Sequence, residues 1–404
     1  MEKNSGIVFI HPEPNGPWVP FRPGAIIVLG RNPACAVRLD GRTVSWQHAE
    51  VRCSPDEVEI RDLGSTNGLF VNGVHVKEAT LDVGDLIRVG GYLALVASER
   101  AVHNGAEFAH AGAMGMYVGR TLAGALAPLR AARDDQHPMV IEGETGTGKT
   151  LAARLLHAES GRPGAFVIVD GDAPDAVRRL LGAGAGDGQP GPAFAEARAG
   201  TLLLRNVDAL SAAAQERLAA VLARAGETQT RCVVVTQEPL DAAVAAGQLL
   251  PALRRRLDGV TVELPPLRRR IIEIPGLFRC LLDADASDRP RTVSPELVER
   301  LCLYDWPCNG REMTLVVERM LAMHGDEERL RAAHLPARMQ SPAMDTTTSP
   351  VTPVPRIELS RLLEAVRAAH GNVGRAAAAL GISRERAYRL LEGMGEHAGH
   401  IEAG

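Results

Sequence analysis

A short glycine-rich segment limits the folds open to this chain more than any other feature. Residues 143–150 read Gly-Glu-Thr-Gly-Thr-Gly-Lys-Thr and fit the pattern G-x-x-x-x-G-K-[ST]. The apolar run Met139–Ile141 precedes the segment, and the helical stretch Leu151–Glu159 follows it. A strand, a glycine-rich loop and a helix in this order cradle phosphate groups, because the loop N–H groups and the helix N-terminus face the same point. The sequence therefore predicts a nucleotide-binding domain of the α/β class.

Strand-like and helical stretches alternate around this loop over residues 116–335. The strand-like runs are Met139–Ile141, Phe166–Val169, Thr201–Leu204 and Cys232–Thr236. Such alternation is typical of a parallel sheet. In the loop, we expect Lys149 to reach the β- and γ-phosphates and the Thr150 hydroxyl to bind Mg²⁺. The predicted nucleotide-binding residues of the loop are Gly143, Glu144, Thr145, Gly146, Thr147, Gly148, Lys149 and Thr150.

Residues 1–97 carry a different pattern, in which Gly, Pro and Asn separate short β-type runs. The expected strands are Ile7–Ile10, Ala25–Leu29, Ala49–Arg52, Val58–Asp62 and Tyr92–Val96. Tight turns are expected at Asn67-Gly68 and Asn72-Gly73. Many short strands at close spacing indicate a β-sandwich. The next residues, 98–115, lose this periodicity and are predicted to be a linker.

Five motifs in the first domain occur in a characteristic order. They are Gly30-Arg31, Ser45-Trp46-Gln47-His48, the segment 62–68, Asn72-Gly73 and Gly84-Asp85. In this order they resemble the forkhead-associated (FHA) family, which implies loops that bind phosphothreonine and a buttressing role for His48. The implied ligand contacts are Arg31, Ser45, Thr66 and Asn67.

The residue types in these loops suit a phosphate group. Arg31 can offer a charge-assisted fork to phosphate, and Ser45 can donate from its hydroxyl. The alternative is a sandwich that keeps the loop turns without binding a phosphorylated ligand. Arg31 and Ser45 argue against that alternative, because neither residue is needed for a turn.

Three motifs downstream of the phosphate loop extend the assignment of the middle domain. They lie at 200–204, 263–268 and 306–312. With the phosphate loop they resemble the AAA+ domain of sigma-54-dependent transcriptional activators over about 116–325. The resemblance implies that Arg311 contacts a nucleotide phosphate and that Arg256 is an arginine finger donated to a neighbouring copy. A homo-oligomer is therefore expected.

The chain departs from that family where ATP would be hydrolysed. Arg205-Asn206 stand where the family has Asp-Glu, which hold Mg²⁺ and polarise the attacking water. The first finger position falls on Leu250, and the stretch 181–191 lacks the loop that grips the sigma factor. We therefore expect the domain to bind ATP or ADP with Mg²⁺, to hydrolyse ATP poorly or not at all, and not to remodel sigma-54.

The C-terminal residues predict a separate all-α domain. Repeated Pro and Thr residues make 336–356 an expected extended linker. Helical stretches in 357–404 are joined by the turn Gly381-Ile382 and resemble the Fis-type helix-turn-helix that ends sigma-54 activators. The alternative is a helical dimerisation tail with a solvated arginine face. The residues expected to contact DNA are Ser383, Arg384, Arg386, Tyr388 and Arg389.

Composition excludes several other classes of protein. Among 404 residues, Lys and Arg total 45 against 49 Asp and Glu, so binding of nucleic acid must be local to one segment. The 6 cysteines form no C-x-x-C pair, which argues against a zinc site or a disulfide framework. No apolar run reaches the roughly 18 residues of a membrane span, and we expect a cytoplasmic protein.

Together these features predict a multidomain protein with a β-sandwich, an α/β P-loop AAA+ domain and an all-α helix-turn-helix. The predicted function is that of a DNA-binding transcriptional regulator that senses phosphothreonine and binds ATP. Its expected partners are double-stranded DNA, a phosphothreonine protein or its own linker, and RNA polymerase holoenzyme. Two alternatives stay open: an active sigma-54 activator ATPase and a phospho-dependent adaptor.

Overall fold

The computed structural model describes residues 5–13, 16–103, 110–111, 116–133, 137–182, 189–224, 229–284 and 291–340. The chain divides into two units, Met1–Pro342 and Ala343–Gly404, and all described residues belong to the first. The predicted helix-turn-helix, with Ser383, Arg384, Arg386, Tyr388 and Arg389, lies outside the described residues, as does most of the predicted linker 336–356.

The first domain is a sandwich of two β-sheets, as predicted. The sheets have the strand orders β2-β1-β11-β10-β7-β8 and β4-β3-β5-β6-β9. The strands are β1 (Ser5–His11), β2 (Trp18–Pro20), β3 (Ile26–Gly30), β4 (Val37–Arg38), β5 (Ala49–Cys53), β6 (Val58–Asp62), β7 (Leu69–Val71), β8 (Val74–Val76), β9 (Glu78–Thr80), β10 (Leu86–Val89) and β11 (Tyr92–Ser98). Successive side chains of a strand point to opposite faces of the sheet, and the inward-facing ones form the core. In β6, Val58 and Ile60 are buried, while Glu59 and Arg61 are exposed.

The predicted turn at Asn72-Gly73 joins β7 to β8 as a two-residue hairpin. Val71 pairs with Val74 across the turn. Asn72 and Gly73 have φ values of 51° and 77°. Positive φ at both turn positions is what a type I′ hairpin requires, and Asn-Gly is its preferred sequence.

The middle domain contains a five-stranded parallel sheet with the strand order β15-β16-β17-β14-β18. Its strands are β14 (Met139–Glu142), β15 (Phe166–Asp170), β16 (Thr201–Arg205), β17 (Arg231–Thr236) and β18 (Val260–Glu263). The helices of this part are α2 (Arg120–Ala131), α3 (Lys149–Glu159), α4 (Ala176–Leu181), α5 (Pro192–Glu196), α6 (Ala212–Leu222), α7 (Leu240–Ala245) and α8 (Pro251–Arg256). All of β17 is buried, as expected for a strand covered on both faces.

A helical lid follows the parallel sheet. Its helices are α9 (Ile274–Asp283), α10 (Pro295–Leu303), α11 (Asn309–His324) and α12 (Ala337–Gln340), with a short parallel pair of strands, β19 (Thr292–Val293) and β20 (Arg329–Leu330). Trp306 is fully buried in the lid. Its indole N–H donates to the Leu301 carbonyl at 2.8 Å, so the ring is satisfied as a core residue.

The segment 98–115, expected to be a linker, contains regular structure. Residues Glu99–His103 form helix α1, and β12 (His110–Ala111) pairs with β13 (Met116–Tyr117). Val102 is buried in the core that also contains the lid helices. The expectation was wrong for these residues, because a helix of five residues is too short to show periodicity in sequence.

The sandwich packs against the lid through the outer face of its first sheet. Alternate residues of β1 serve two cores: Ile7 belongs to the sandwich core, whereas Val8 and Ile10 belong to the core that includes Leu297 and Leu301 of the lid. This arrangement explains why β1 is buried on both faces. Among the described residues, no helix combines the length and the apolar character that crossing a membrane requires.

One ion pair lies inside this contact between the sandwich and the lid. Arg88 Nε of β10 donates to Glu299 Oε2 of α10 at 2.9 Å, and the two side chains are 12% and 3% exposed. The Arg88 guanidinium also stacks 3.7 Å above the centre of the Phe70 ring. The pair therefore joins the two domains in a place from which water is largely excluded.

Candidate nucleotide site

The phosphate loop connects β14 to α3 at the carboxyl edge of the parallel sheet. Gly146 and Gly148 have φ values of 79° and 103°, in the region that favours glycine. A Cβ atom on Gly146 would lie 2.0 Å from the carbonyl oxygen of Cys308 in the lid. The glycine at 146 is therefore required both by its backbone conformation and by the close approach of the lid.

A cavity of about 390 Å³ opens beside this loop. Thr145, Gly146, Thr147, Gly148, Lys149 and Thr150 line it, together with the lid residue Arg311. Apolar side chains line another part, namely Tyr117, Leu122, Leu277 and Leu281. A polar and cationic wall facing an apolar one is the arrangement that a nucleotide needs for its phosphates and its base. Gly143 and Glu144, also named from the sequence, stand outside this lining.

The lid binds the phosphate loop through main-chain and side-chain contacts. The Asn309 amide donates to the Thr145 carbonyl at 3.0 Å, and the Gly310 N–H donates to the Gly146 carbonyl at 3.0 Å. Arg270 donates to the Thr147 carbonyl at 3.2 Å. Three successive loop carbonyls thus accept hydrogen bonds from the lid, which fixes the shape of the loop beside the cavity.

The side chain of Glu144, a residue of the phosphate loop, also binds the lid. Its carboxylate accepts from Arg268 at 2.8 Å and from the Asn309 amide at 3.2 Å. The hydrogen bond from Arg268 lowers the pKa of Glu144. Glu144 is therefore a structural residue of the loop, and its carboxylate is engaged by the lid. Sequence reasoning assigned no role to Arg268 and Asn309, although both fall inside motifs that it had singled out.

Among the described residues that line the cavity, Glu273 is the one with a carboxylate, and this carboxylate already has hydrogen-bond and ion-pair partners. Its side chain is 3% exposed and pairs with buried Arg270 at 3.4 Å. Its Oε1 accepts from the backbone N–H groups of Thr121 and Leu122 at 2.6 and 3.1 Å. These two donors belong to the first turn of α2, so Glu273 satisfies a helix N-terminus and is not free for catalysis.

Positive charge is concentrated at the loop end of the cavity. Lys149, Arg205, Arg270 and Arg311 all line it. The Lys149 ammonium donates to the carbonyls of Gly143 and Glu144. Burial, and then the charge of Arg205, lowers the pKa of Lys149 to about 8. An anion in the cavity would relieve this repulsion between cations.

The family's acidic pair is replaced here by two groups that bind acids. Arg205 Nε lies 3.5 Å from Asp170 Oδ2. The Asn206 amide donates to Asp170 Oδ1 and Asp172 Oδ2, both at 2.9 Å. Asn206 has a φ of 50°, a conformation that asparagine tolerates better than most residues.

Mg²⁺ was expected on the Thr150 hydroxyl, but the donors around it do not fit this ion. Protein-bound Mg²⁺ is usually held by one or two carboxylates together with phosphates and water. Among the described residues lining the cavity, the carboxylate is Glu273, which two N–H groups and Arg270 already engage. Thr150 lines the cavity beside Lys149 and Arg205.

The remaining residues named for the ATPase lie around the cavity or away from it. The Thr145 hydroxyl donates to Oε1 of Gln237, which also lines the cavity, at 2.7 Å. The Leu250 N–H donates to Gln215 at 2.8 Å. Arg256 ends α8, is exposed and does not line the cavity.

A second candidate site lies in the loops of the sandwich. Ser45 Oγ accepts from the Thr66 N–H at 3.0 Å, and the Asn67 amide donates to the Thr43 carbonyl at 2.8 Å. Because Ser45 Oγ accepts this bond, its own proton stays available for a ligand. Arg31 is exposed at the end of β3.

The side chain of His48 connects two of these loops by hydrogen bonds. The side chain is completely buried, with an exposed fraction of 0%. Its Nδ1 accepts from the Ser45 N–H at 3.2 Å, so its Nε2 carries the proton and donates to the Gly68 carbonyl at 3.1 Å. The ring therefore joins the loop of Ser45 to the loop of Thr66, which is the buttressing role expected of it.

Three known protein families match parts of this chain. The FHA domain family matches residues 27–90, the sigma-54 interaction domain matches 125–267, and the AAA+ ATPase lid domain matches 268–351. The chain carries an FHA domain joined to a sigma-54 interaction domain and its lid. The sandwich is thus the FHA domain, and the parallel sheet belongs to the sigma-54 interaction domain.

Relatives of the chain are bacterial transcriptional regulators. The transcriptional regulatory protein ZraR of Klebsiella oxytoca is 32% identical over 274 residues, which cover 61% of each chain. The activator AcoR of the Bacillus subtilis acetoin dehydrogenase operon is 31% identical over 292 residues, covering 65% of this chain and 47% of its own. The chain thus spans about half to three fifths of the length of these relatives.

Among solved structures, NtrX from Brucella abortus in complex with ATP is similar to this chain. The identity is 25%, and the TM-score is 0.48. The alignment covers 69% of this chain and 68% of NtrX.

Proposed function

We propose that this chain is a DNA-binding transcriptional regulator whose sigma-54 interaction domain binds ATP or ADP but hydrolyses ATP poorly or not at all. The observation that carries the proposal is the cavity between the phosphate loop and the lid. The cations Lys149 and Arg311, which would bind phosphate, line this cavity. Arg205 and Asn206 lie at the end of β16, where the family has the acidic residues that hydrolysis requires. Binding chemistry is therefore retained while the chemistry of water activation is not.

Hydrolysis would need a group that removes a proton from the attacking water. A general base must lie within hydrogen-bonding reach of that water. Asn206 offers an amide whose N–H₂ group is already bound to Asp170 and Asp172. The amide also has no basic atom at neutral pH. The domain is then a nucleotide-gated assembly module, and exposed Arg256 is the residue by which one copy contacts the nucleotide of the next.

The FHA domain supports a second proposed activity, recognition of phosphothreonine. Arg31 and Ser45 provide an exposed cation and a free hydroxyl proton, and Thr66 and Asn67 lie on the adjoining loop. The ligand is a phosphothreonine protein or the chain's own linker, which contains Thr346, Thr347, Thr348 and Thr352. A phosphorylated partner would then regulate assembly of the protein.

The proposed DNA contact lies on residues 383–389, where Arg384, Arg386 and Arg389 supply local positive charge. RNA polymerase holoenzyme is the proposed partner in transcription, without a sigma-54 contact. Failure of the full-length protein to bind duplex DNA would favour the adaptor alternative. ATP turnover on the scale of about 1 s⁻¹ would favour the activator ATPase.

The decisive experiment combines a nucleotide titration with a steady-state ATPase assay on the full-length protein in the presence of DNA. We expect saturable binding of ATP and ADP without measurable turnover. Lys149→Ala should abolish binding, because the loop loses the cation that contacts the phosphates. Arg178→Ala is the matched control, since Arg178 is an exposed arginine of α4 outside the cavity. Equal loss in both variants, or no binding by the wild type, would contradict the proposal.

A further inference from the structure

We infer that Arg205 replaces Mg²⁺ as the counter-charge of the nucleotide, so that the cavity binds ATP or ADP as a metal-free anion. This inference rests on the proposed nucleotide binding and goes beyond it by naming the form of the ligand. The family places a carboxylate for the metal at this strand end, whereas this chain places a permanent cation there.

The position of Arg205 carries the first step. It is the last residue of β16, where it pairs in register with Asp170 of β15 and Val235 of β17. Ligands of parallel sheets bind at the carboxyl ends of the strands. The Arg205 side chain is 38% exposed and lines the cavity beside Lys149 and Thr150. Its guanidinium thus stands at the wall where a metal with its acidic ligand would otherwise lie.

The second step is that one neighbouring acid, Asp170, pairs with this arginine. Asp170 accepts the Asn206 amide at 2.9 Å and lies 3.5 Å from Arg205 Nε. Only one edge of the guanidinium faces that carboxylate, and an arginine has five N–H donors in a rigid fork. The remaining donors are available for phosphate oxygens, and Asp170 does not line the cavity.

Charge balance carries the third step. Within the described part of the chain, four cationic side chains and one carboxylate line the cavity, and that carboxylate is occupied by Arg270 and two N–H groups. A divalent cation here would be repelled by Lys149, Arg205 and Arg311 without a free acid to hold it. Burial is the main cause of the lowered pKa of Lys149, and the nearby charge of Arg205 lowers it further. A metal-free polyphosphate brings more negative charge into this cavity than its Mg²⁺ complex does.

The test is a titration of the full-length protein with ATP and with ADP, in EDTA and in excess MgCl₂ at the same ionic strength. We expect the wild type to bind at least as tightly in EDTA as in Mg²⁺. Arg205→Gln should weaken metal-free binding by about tenfold to a hundredfold, the equivalent of one charged hydrogen bond. Arg205→Lys should retain part of the affinity, and Arg178→Ala should retain all of it. Arg205→Asp should bind only when Mg²⁺ is added.

The outcomes separate this inference from the proposed function. Binding by the wild type only in Mg²⁺ would overturn the inference and leave nucleotide binding standing. Binding in neither buffer would overturn both proposals. Thermal unfolding of each variant, compared with the wild type, shows whether a loss of affinity reflects a loss of folding.

Discussion

Arg205 and Asn206 at the end of β16 each contact an acidic side chain instead of providing one. Their partners Asp170 and Asp172 belong to the neighbouring strand end and the loop after it. Two residue changes relative to the family thus reverse the charge of this part of the cavity wall. Neither arginine nor asparagine offers a basic atom at neutral pH.

The ionisation of Lys149 makes nucleotide affinity depend on pH. Its folded pKa of about 8 lies below the ordinary lysine value, so the ammonium is charged below that pH and neutral above it. We expect affinity for ADP to fall as the pH rises from 7 to 9, because the phosphates lose a positive charge. Titrations at fixed ionic strength measure this change. Constant affinity across that range would contradict the expectation.

Arg31 should determine most of the phosphate affinity of the FHA domain. We expect Arg31→Ala to weaken binding of a phosphothreonine peptide by about 1.5–3 kcal/mol, the range for a charged hydrogen bond. Arg22→Ala is the matched control, because exposed Arg22 precedes β3 while Arg31 follows it. Fluorescence titration of one labelled peptide compares both variants. Similar losses in both would mean that the phosphate does not bind at Arg31.

At the scale of elements, the phosphate loop depends on the lid for its shape. The lid donates to the carbonyls of Thr145, Gly146 and Thr147 and neutralises Glu144. A loop whose carbonyls are held in this way depends on the lid for its conformation. Nucleotide binding and the docking of the lid should therefore be coupled.

Gly146→Ala should disrupt this arrangement more than a comparable change elsewhere. Its Cβ would meet the Cys308 carbonyl at 2.0 Å, in addition to the strain of a positive φ. Gly161 is the matched control, because it has a φ of 62° and open space around its Cβ position. Gly161→Ala should lower the free energy of unfolding by about 1 kcal/mol. We expect Gly146→Ala to lower it further and to abolish nucleotide binding, as denaturant unfolding and titration will measure.

At the scale of the whole described unit, the FHA domain shares a core with the lid. Val8 and Ile10 of the sandwich lie in the same cluster as Leu297 and Leu301 of α10. The lid also contributes Arg311 and Arg270 to the nucleotide cavity. The FHA domain is thereby attached to the lid, which lines the cavity beside the phosphate loop.

Removing Arg88 should destabilise this contact because Glu299 would remain buried without its partner. We expect Arg88→Ala to lower the free energy of unfolding by about 3 kcal/mol. Arg38→Ala is the control: its pair with Asp40 has side chains 55% and 68% exposed and should contribute less than about 1 kcal/mol. Denaturant unfolding at pH 7 makes the comparison. Equal losses would show that the interface does not exclude water.

The same variant should respond to pH in a defined direction. Burial raises the pKa of Glu299 and Arg88 lowers it, so removing Arg88 raises that pKa further. A raised folded pKa favours folding in acid, and this advantage is lost as the pH rises through it. The deficit of Arg88→Ala should therefore shrink as the pH falls from 7 towards the ordinary glutamate value of about 4.3. A deficit that is constant over this range would contradict the assignment.

Local patterns in the sequence were sufficient to predict both folds. Strand β6 has the predicted bounds Val58–Asp62, and the loop at 143–150 joins a strand to a helix as expected. Alternating burial and glycines with positive φ are properties of neighbouring residues, so the chain shows them without its tertiary structure. Strand β18 (Val260–Glu263) was missed because only one of its residues is buried and its β-structure depends on pairing with the distant β14.

The residues by themselves predict a nucleotide site, and they determine that Arg205 and Asn206 stand where the family has an acidic pair. The tertiary structure decided where the replacements point, which carbonyls the lid binds and which face of the sandwich is buried. Arg205 and Asp170 are 35 positions apart in the numbering, and Arg88 and Glu299 are further apart still. Contacts of this kind depend on strand register and on the packing of domains, which no local pattern encodes. The charged residues of the cavity could therefore be named from the sequence, whereas their arrangement was decided by the fold.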